Sequence, residues 1–357
     1  MKIGILTFHY AHNYGAVLQA YGLQEYLKSL GHETYIIDHR NPFIASTIRR
    51  NNHRDWLSSN PKACLIRLWQ FIANTKIRHE RYDNFEHFIN QHLSLIANTE
   101  SDMQDLDVVV IGSDQVWSSP HTGGQLDPMY LGCNIKTKLI SYAASCSRRK
   151  LSDTDIRDFK THLPNFQNIS VRESGFKALL SKLTDKDIDV VVDPTVLAGV
   201  DVYDRISKEP DRKKYILIYE IQRHKSTLEF AKRLASEHDA EIIELTNGVY
   251  GTHGHWMHEG ASPEEFLGYF KHALAVVTTS FHGTVFSILF KKPFYTLYQH
   301  SPSDDRMVNL LKQLELDDRM VEASDNATLS CPDYQGVNDR LDYVRANSKN
   351  YLAKSLN

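Results

Sequence analysis

Long apolar runs are missing from this chain. Nowhere do about 18 consecutive apolar residues occur, so the sequence predicts no membrane-spanning helix. The N-terminus, "MKIGILTFHYAHNYG", has too short an apolar run for a signal peptide and turns polar directly behind it. Cysteine is sparse: Cys64, Cys133, Cys146 and Cys331 form no CxxC pair, which argues against a disulfide framework and a thiolate zinc site and fits a reducing cytoplasm. A basic excess is also lacking. With a formal net charge of -3, nothing supports nucleic acid as a partner, and any anion site must be local. No GxGxxG fingerprint, Walker loop, GxSxG elbow or HExxH pair occurs, so a nicotinamide cofactor, a serine-hydrolase elbow and a helix-borne zinc site have no support. The chemistry left available is that of histidine, arginine and aspartate, and no cofactor is expected.

What is present is alternation. The chain has 357 residues, comfortable for two domains and the cleft between them. "KIGILTF" (2 to 8) reads as a buried strand, "AVLQAYGLQEYLKSLG" (16 to 31) as a helix ending at a left-handed Gly31, and "ETYIIDH" as the next strand. Strand, helix, strand with short joints is a βαβ unit and implies a parallel sheet. Strands recur at "DVVVIGS", "KLISYAAS", "NISVRES" and "DVVVDPT". A charged, proline-containing stretch at 204 to 214 reads as a linker, after which strands and helices alternate again. Ser262, Pro263 and Glu265 specify one helix start with a cap, a first-turn proline and a capping-box carboxylate. The expected fold is α/β, with two Rossmann-like domains facing each other across a cleft, a GT-B-like arrangement. The expected domains are 1–200, with a helical insertion at about 42–106, then 201–332, then a C-terminal helix over 333–357 that packs back on the first domain.

The 42–106 insertion sets Arg49, Arg50, Arg54, Lys62, Arg67, Lys76, Arg78 and Arg81 beside Trp56, Trp69 and Phe71. Two readings stay open. One is a membrane-facing or lipid-acceptor surface; the other is a helical cap with a solvated face, its charge offset by Asp55, Glu80, Asp83 and Glu86.

In "TTSFHGTVFSILFKKP" (278 to 293) a strand delivers Phe281, His282 and Gly283 to its carboxyl end, where open α/β sheets bind ligands. A helix expected to start near Thr284 points free N–H groups and a positive dipole end at the same place. Gly283 would let backbone approach an anion, Thr284 and Ser280 would add hydroxyls, and a protonated His282 would pair with the anion and hold a proton for transfer. His282 is otherwise a histidine bonded within a strand-to-helix turn. "VIGSDQVW" (110 to 117) resembles a sugar-binding lip, with Trp117 stacking on a sugar ring and Asp114 accepting from hydroxyls, although Asp114 equally suits a turn cap. Arg172 in "ISVRES" has a fork that matches a carboxylate or phosphate, or it pairs with Glu173. The first loop sets His9, His12, Asn13 and Gly15 before a helix N-terminus, a second anion cradle. His253, His255 and His258 with Glu259 have the composition of a metal site without its spacing, so no metal is expected.

Together, "ILTFHYAHNYGAVLQAYGLQEYLKSLGHETYIIDH", "VIGSDQVW", "ISYAAS", "ISVRES", "VVVDPT", "SPEEFLGYFKHALAVVTTSFHGTVFSILFKKPF" and "SDDRMVNLLKQLELDDR" resemble the motifs of the polysaccharide pyruvyl transferase family in this order. The resemblance implies transfer of pyruvate from phosphoenolpyruvate to two hydroxyls of a sugar, giving a ketal and phosphate. It implies His282 as the essential histidine, acting as general acid, and Arg172 as a donor-binding arginine. Arg306 in "SDDRMVNLL" is a further donor contact, while Asp114, Asn13, Gly15 and Trp117 fall on the acceptor side. Implied partners are phosphoenolpyruvate and a sugar acceptor, lipid-linked or not, of cell-surface polymer synthesis. A cytoplasmic site at the inner face of the membrane is implied, and a bound phosphate is expected to raise the pKa of His282. Two rivals remain: a GT-B glycosyltransferase using a nucleotide sugar, and a non-catalytic carbohydrate-binding protein of polymer assembly.

Overall fold

The computed structural model describes residues 1–48, 64, 72–146, 148–246, 256–302 and 304–357. The expectations placed on Arg49, Arg50, Arg54, Asp55, Trp56, Lys62, Arg67, Trp69, Phe71, His253 and His255 concern residues outside this set.

The first sheet is built from β1 (Lys2–Leu6), β2 (Glu33–Asp38), β3 (Leu95–Ala97), β4 (Val108–Ile111) and β5 (Lys138–Ser141), parallel throughout, in the order β3-β2-β1-β4-β5. The pair β6 (Ile169–Val171) and β7 (Ile188–Val190) extends it through bridges at Ile140–Asn168 and Ala144–Val171. The second sheet comprises β8 (Tyr215–Glu220), β9 (Glu241–Thr246), β10 (Trp256–Met257), β11 (Ala275–Thr278), β12 (Phe294–Leu297) and β13 (Met320–Val321), ordered β10-β9-β8-β11-β12-β13. Counted from its own first strand, each half is ordered 3-2-1-4-5-6, the doubly wound order, with β7 added at the edge of the first. The strands explain themselves: β4 is "VVVI" and β8 is "YILIYE", every residue buried, as sheets covered on both faces require.

The helices are α1 (Tyr14–Ser29), α2 (Pro42–Thr47), α3 (Thr75–His92), α4 (Glu100–Gln104), α5 (Asp153–His162), α6 (Ser174–Leu180) and α7 (Pro194–Ala198). They continue with α8 (Val200–Asp204), α9 (Lys225–Glu237), α10 (Pro263–His272), α11 (Phe281–Leu289), α12 (Asp304–Gln313) and α13 (Tyr334–Leu356). Ser262 and Glu265 form the capping box of α10 with Pro263 at its start. Gly31, at φ 85°, ends α1 by sending its N–H to Lys28 and that of His32 to Leu27.

Three features fix one half against the other. Arg81, on α3, is buried and donates to the Tyr14 hydroxyl (3.0 Å) and His12 carbonyl (3.1 Å) on one side, and to the Thr246 (3.2 Å) and Glu259 (3.0 Å) carbonyls on the other. Tyr14 stacks on Phe266 with centroids 4.4 Å apart, so the apolar core runs through both sheets. The last helix, α13, leaves the second sheet and bonds the first half through Ser348 to Val192 (2.9 Å), Arg345 to Val196 (2.7 Å) and Tyr351 to Ser141 (2.6 Å). Arg81 thus belongs to a buried junction and to neither reading offered for the 42–106 segment.

Candidate active site in the cleft

The carboxyl ends of both sheets open onto a cavity of about 690 Å³ between the halves. From the first half it is lined by Phe8, Asn13, Asp114, Gln115 and His121, among others; the second half adds Gln222, His224, Ser280, His282 and Arg306.

His282 lies in the first turn of α11, because the helix begins at Phe281 and not near Thr284. Ser280 is the cap: its hydroxyl accepts from the Gly283 N–H at 3.5 Å, leaving the amides of Phe281 and His282 at the helix mouth with no helical acceptor. Across the cleft, α1 starts with Tyr14 behind its cap Asn13, whose side chain accepts from the Ala16 N–H at 3.3 Å. The two helix mouths meet at the imidazole, which rests on Gly15; a methyl there would overlap the ring.

Behind the ring stands a buried carboxylate. Asp193 caps α7, accepting from the Thr195 N–H (2.9 Å) and hydroxyl (2.7 Å), and takes a 2.7 Å bond from Arg172 Nη1. Its Oδ2 lies 3.8 Å from His282 Nε2, a nitrogen that is itself buried with no hydrogen-bond partner. Burial pushes the His282 imidazole below its ordinary pKa; the Asp193 and Asp114 charges pull it up, and Arg172 and Arg306 push it down. The upward shift expected from a bound phosphate therefore starts from a lowered value. Against the cost of burial, the His282 and Arg172 charges hold the Asp193 carboxyl below its usual range.

The arginines divide. Arg306, on α12, reaches the cleft cavity; burial and the Arg172 charge lower its pKa, and its Nε has no hydrogen-bond partner. Arg172 is buried and bonds Asp193, Glu173 (3.0 Å) and Ser145 (2.8 Å). It faces a second cavity of about 630 Å³ on the far side of Phe281, whose ring carries both guanidiniums at 5.0 and 5.8 Å. Arg172 thus pairs with Glu173, as one of its readings had it, and reaches His282 through the Asp193 carboxylate, while Arg306 borders both cavities.

Other residues are also placed differently from expectation. The Thr284 hydroxyl is fully buried, donating to the Ser280 carbonyl (3.1 Å) and pairing with Thr296 (2.8 Å), so it offers nothing to a ligand. A methyl at Gly283 would strike the Thr278 hydroxyl, so packing alone already requires glycine there. Trp117 is 1% exposed, donates to the Tyr130 carbonyl (2.7 Å) and packs edge-on against Phe159, Phe166 and Phe176; it is core, not a sugar platform. Gly15 lies directly against the His282 ring. Asp114, at φ 60°, accepts from the Gln115 N–H (2.8 Å), as a turn cap does, and also lines the cavity. The loop histidines are engaged, His9 with Asp38 at 3.0 Å and His12 with Glu86 at 3.1 Å. His258 contacts the Tyr269 hydroxyl at 3.2 Å, and among the described residues no group of three or more metal-ligating side chains exists.

The site thus joins a helix-mouth histidine, an available arginine and polar groups from both sheets. The family model for polysaccharide pyruvyl transferase matches residues 13–301, which takes in both helix mouths and His282. The chain belongs to this family. The GT-B-like architecture of this pyruvyl transferase family member is similar to that of S. aureus MnaA in complex with UDP, at 11% identity over 97% of this chain and 90% of that one, with a TM-score of 0.49. It is also similar to the UDP-GlcNAc 2-epimerase of Methanocaldococcus jannaschii (12% identity, 96% and 92% covered, TM-score 0.48). The Neisseria meningitidis UDP-GlcNAc 2-epimerase bound to UDP-GlcNAc is a further likeness (11%, 98% and 100%, 0.45). No curated protein sequence matches.

Asp193 is the functional candidate that sequence reasoning missed. Its signal was available: Asp-Pro shortly after a strand is a helix cap followed by a first-turn proline, at the carboxyl edge of the sheet.

Proposed function

We propose that this protein transfers pyruvate from phosphoenolpyruvate to two hydroxyls of a sugar, forming a cyclic ketal and releasing phosphate, with His282 as proton donor. The observation that carries the reading is the His282 ring, wedged between the first turns of α1 and α11 on the cleft wall beside Arg306. Phosphoenolpyruvate has a carboxylate and a phosphate on a small enol, and its site needs concentrated positive potential. Two helix mouths and the Arg306 guanidinium supply that in a chain of net charge -3.

In this reading His282 protonates the methylene carbon, C2 becomes oxocarbenium-like, and a first sugar hydroxyl adds to it. That hydroxyl's proton returns to His282. Phosphate then leaves, and the second hydroxyl closes the ketal while its proton departs with the phosphate. The Phe281 and His282 amides and Arg306 hold the donor's anionic groups, and Ser280 borders them. Asp114 and Asn13 face the acceptor. A phosphate bound at the helix mouths raises the His282 pKa and loads the proton.

No helix among the described residues is long and apolar enough to cross a membrane. The reading places the chain in the cytoplasm, meeting a lipid-linked or free acceptor at the inner membrane face. The test is incubation with phosphoenolpyruvate and galactose, glucose or N-acetylmannosamine acceptors, following phosphate release and the mass of a ketal. His282→Ala should cut turnover by about 10² to 10⁴, far more than it weakens sugar affinity. Near-normal turnover in that variant would overturn the proton-donor role. Stabilisation by a nucleotide sugar and not by phosphoenolpyruvate would redirect the reading to glycosyl transfer, and sugar binding without phosphate release would indicate a non-catalytic protein.

A further inference from the structure

The two nitrogens of His282 are not equivalent. Nε2 is buried, lies 3.8 Å from Asp193 Oδ2 and has no hydrogen-bond partner, whereas Nδ1 is the ring atom nearest Gly15, at the mouth of α1. The carboxylate cannot swing to other duties. Its Oδ1 is occupied by both Thr195 donors and its Oδ2 by Arg172, with the Ser113 hydroxyl at 3.4 Å. Arg172 is fixed in turn by Glu173 and Ser145. A carboxylate held this way stays ionised, and it favours the tautomer whose N–H points at it.

We infer that Asp193 is the positioning residue of His282: it keeps Nε2 protonated and turned inward, so that Nδ1 is the atom exchanging a proton with substrate. This rests on the proton-donor reading above. In the charged ring both nitrogens carry hydrogen; Nδ1 gives its proton to the enol methylene, Nε2 keeps its own toward Asp193, and Nδ1 recovers one from the attacking hydroxyl. Asp193 is never protonated. Arg172 acts through Asp193, which gives it a role without contact with the cleft cavity. The charged groups facing the ring are Asp193 and Arg172 behind it, Asp114 from the loop after β4, and Arg306 from α12; from α1 the Gly15 backbone lies against the ring.

The test uses the full chain labelled with ¹⁵N-histidine, read by long-range ¹H–¹⁵N NMR across pH, and needs no substrate. In the wild type, neutral His282 should be the Nε2–H tautomer. Asp193→Asn should lower its pKa by at least about one unit, a tenfold change in the protonated fraction at fixed pH. In the transfer assay with phosphoenolpyruvate, the same variant should move the basic limb of kcat to lower pH with KM for the donor within about threefold, and Asp193→Glu should restore part of the limb. Should Asp193→Asn not fold, Asp193→Ser keeps a helix cap while removing the charge. An Nδ1–H tautomer in the wild type, or a His282 pKa unmoved by loss of the Asp193 charge, would overturn the inference. So would lost turnover with an unshifted pH profile. If no sugar is ever modified, the transfer reading falls while the NMR arm still decides the pairing.

Discussion

Gly15 and His282 touch across the cleft: the imidazole lies on the Cα of Gly15, and a methyl placed there would overlap Nδ1, Cε1 and Cγ. Gly15 does not hold a positive φ, so alanine suits its backbone and would favour the helix by about 1 kcal/mol. Gly15→Ala should still reduce pyruvyl transfer by roughly 100-fold, because a displaced ring no longer meets the reacting carbon. In a His282→Ala background the same change should add nothing further. A kinetic double-mutant cycle checks this, and additive losses would count against the contact.

Burial holds His282 below its ordinary pKa in the ligand-free protein. The sign follows from where the proton binds. Above about pH 6.5 the ring is neutral folded and unfolded; below it the unfolded chain takes a proton first, so stability falls as the pH drops toward the folded value. His282→Gln should therefore lose less stability on acidification than the wild type. Urea midpoints at about pH 7.5 and pH 5 measure it, and equal losses would mean the ring is not held neutral.

Trp117 and Asp114 sit three residues apart with opposite expectations. Trp117→Phe withdraws the donor of the Tyr130 carbonyl inside the core and should cost about 1–3 kcal/mol while leaving the acceptor KM unchanged. Asp114→Asn, on the cavity wall, should raise the acceptor KM about tenfold with little effect on melting. Thermal melts and acceptor titrations separate the two.

Arg81→Met removes the four-way donor at the junction and should destabilise the protein by roughly 3 kcal/mol. Arg81→Lys should recover only part of that, because an ammonium cannot reproduce the fork. Chemical denaturation of the three proteins is the check.

Much of the architecture was readable in the residues because the signals are local. Buried β-branched runs gave the strands, Gly31 gave a helix end, and Ser262 with Glu265 gave a helix start. The place of His282 was readable for the same reason, though its helix starts three residues earlier than the pattern suggested, since Ser280 caps it. Side-chain direction was not readable. Trp117 looks like a sugar platform in one dimension, and only the packing of Phe159, Phe166 and Phe176 shows it turned inward. Arg172 and His282 are 110 positions apart, and which side of Phe281 each occupies depends on how two sheets meet. The Asp193 carboxylate between them is a product of that meeting.

The path of α13 has a consequence for how the molecule can be divided. Because this terminal stretch lies along the β5–α7 side of the opposite lobe, the first lobe is finished by chain from the far end of the polypeptide. Severing the backbone between Asp204 and Tyr215 should yield two pieces that stay together as a complemented pair, with α13 as the clasp, and trimming that clasp should set them apart.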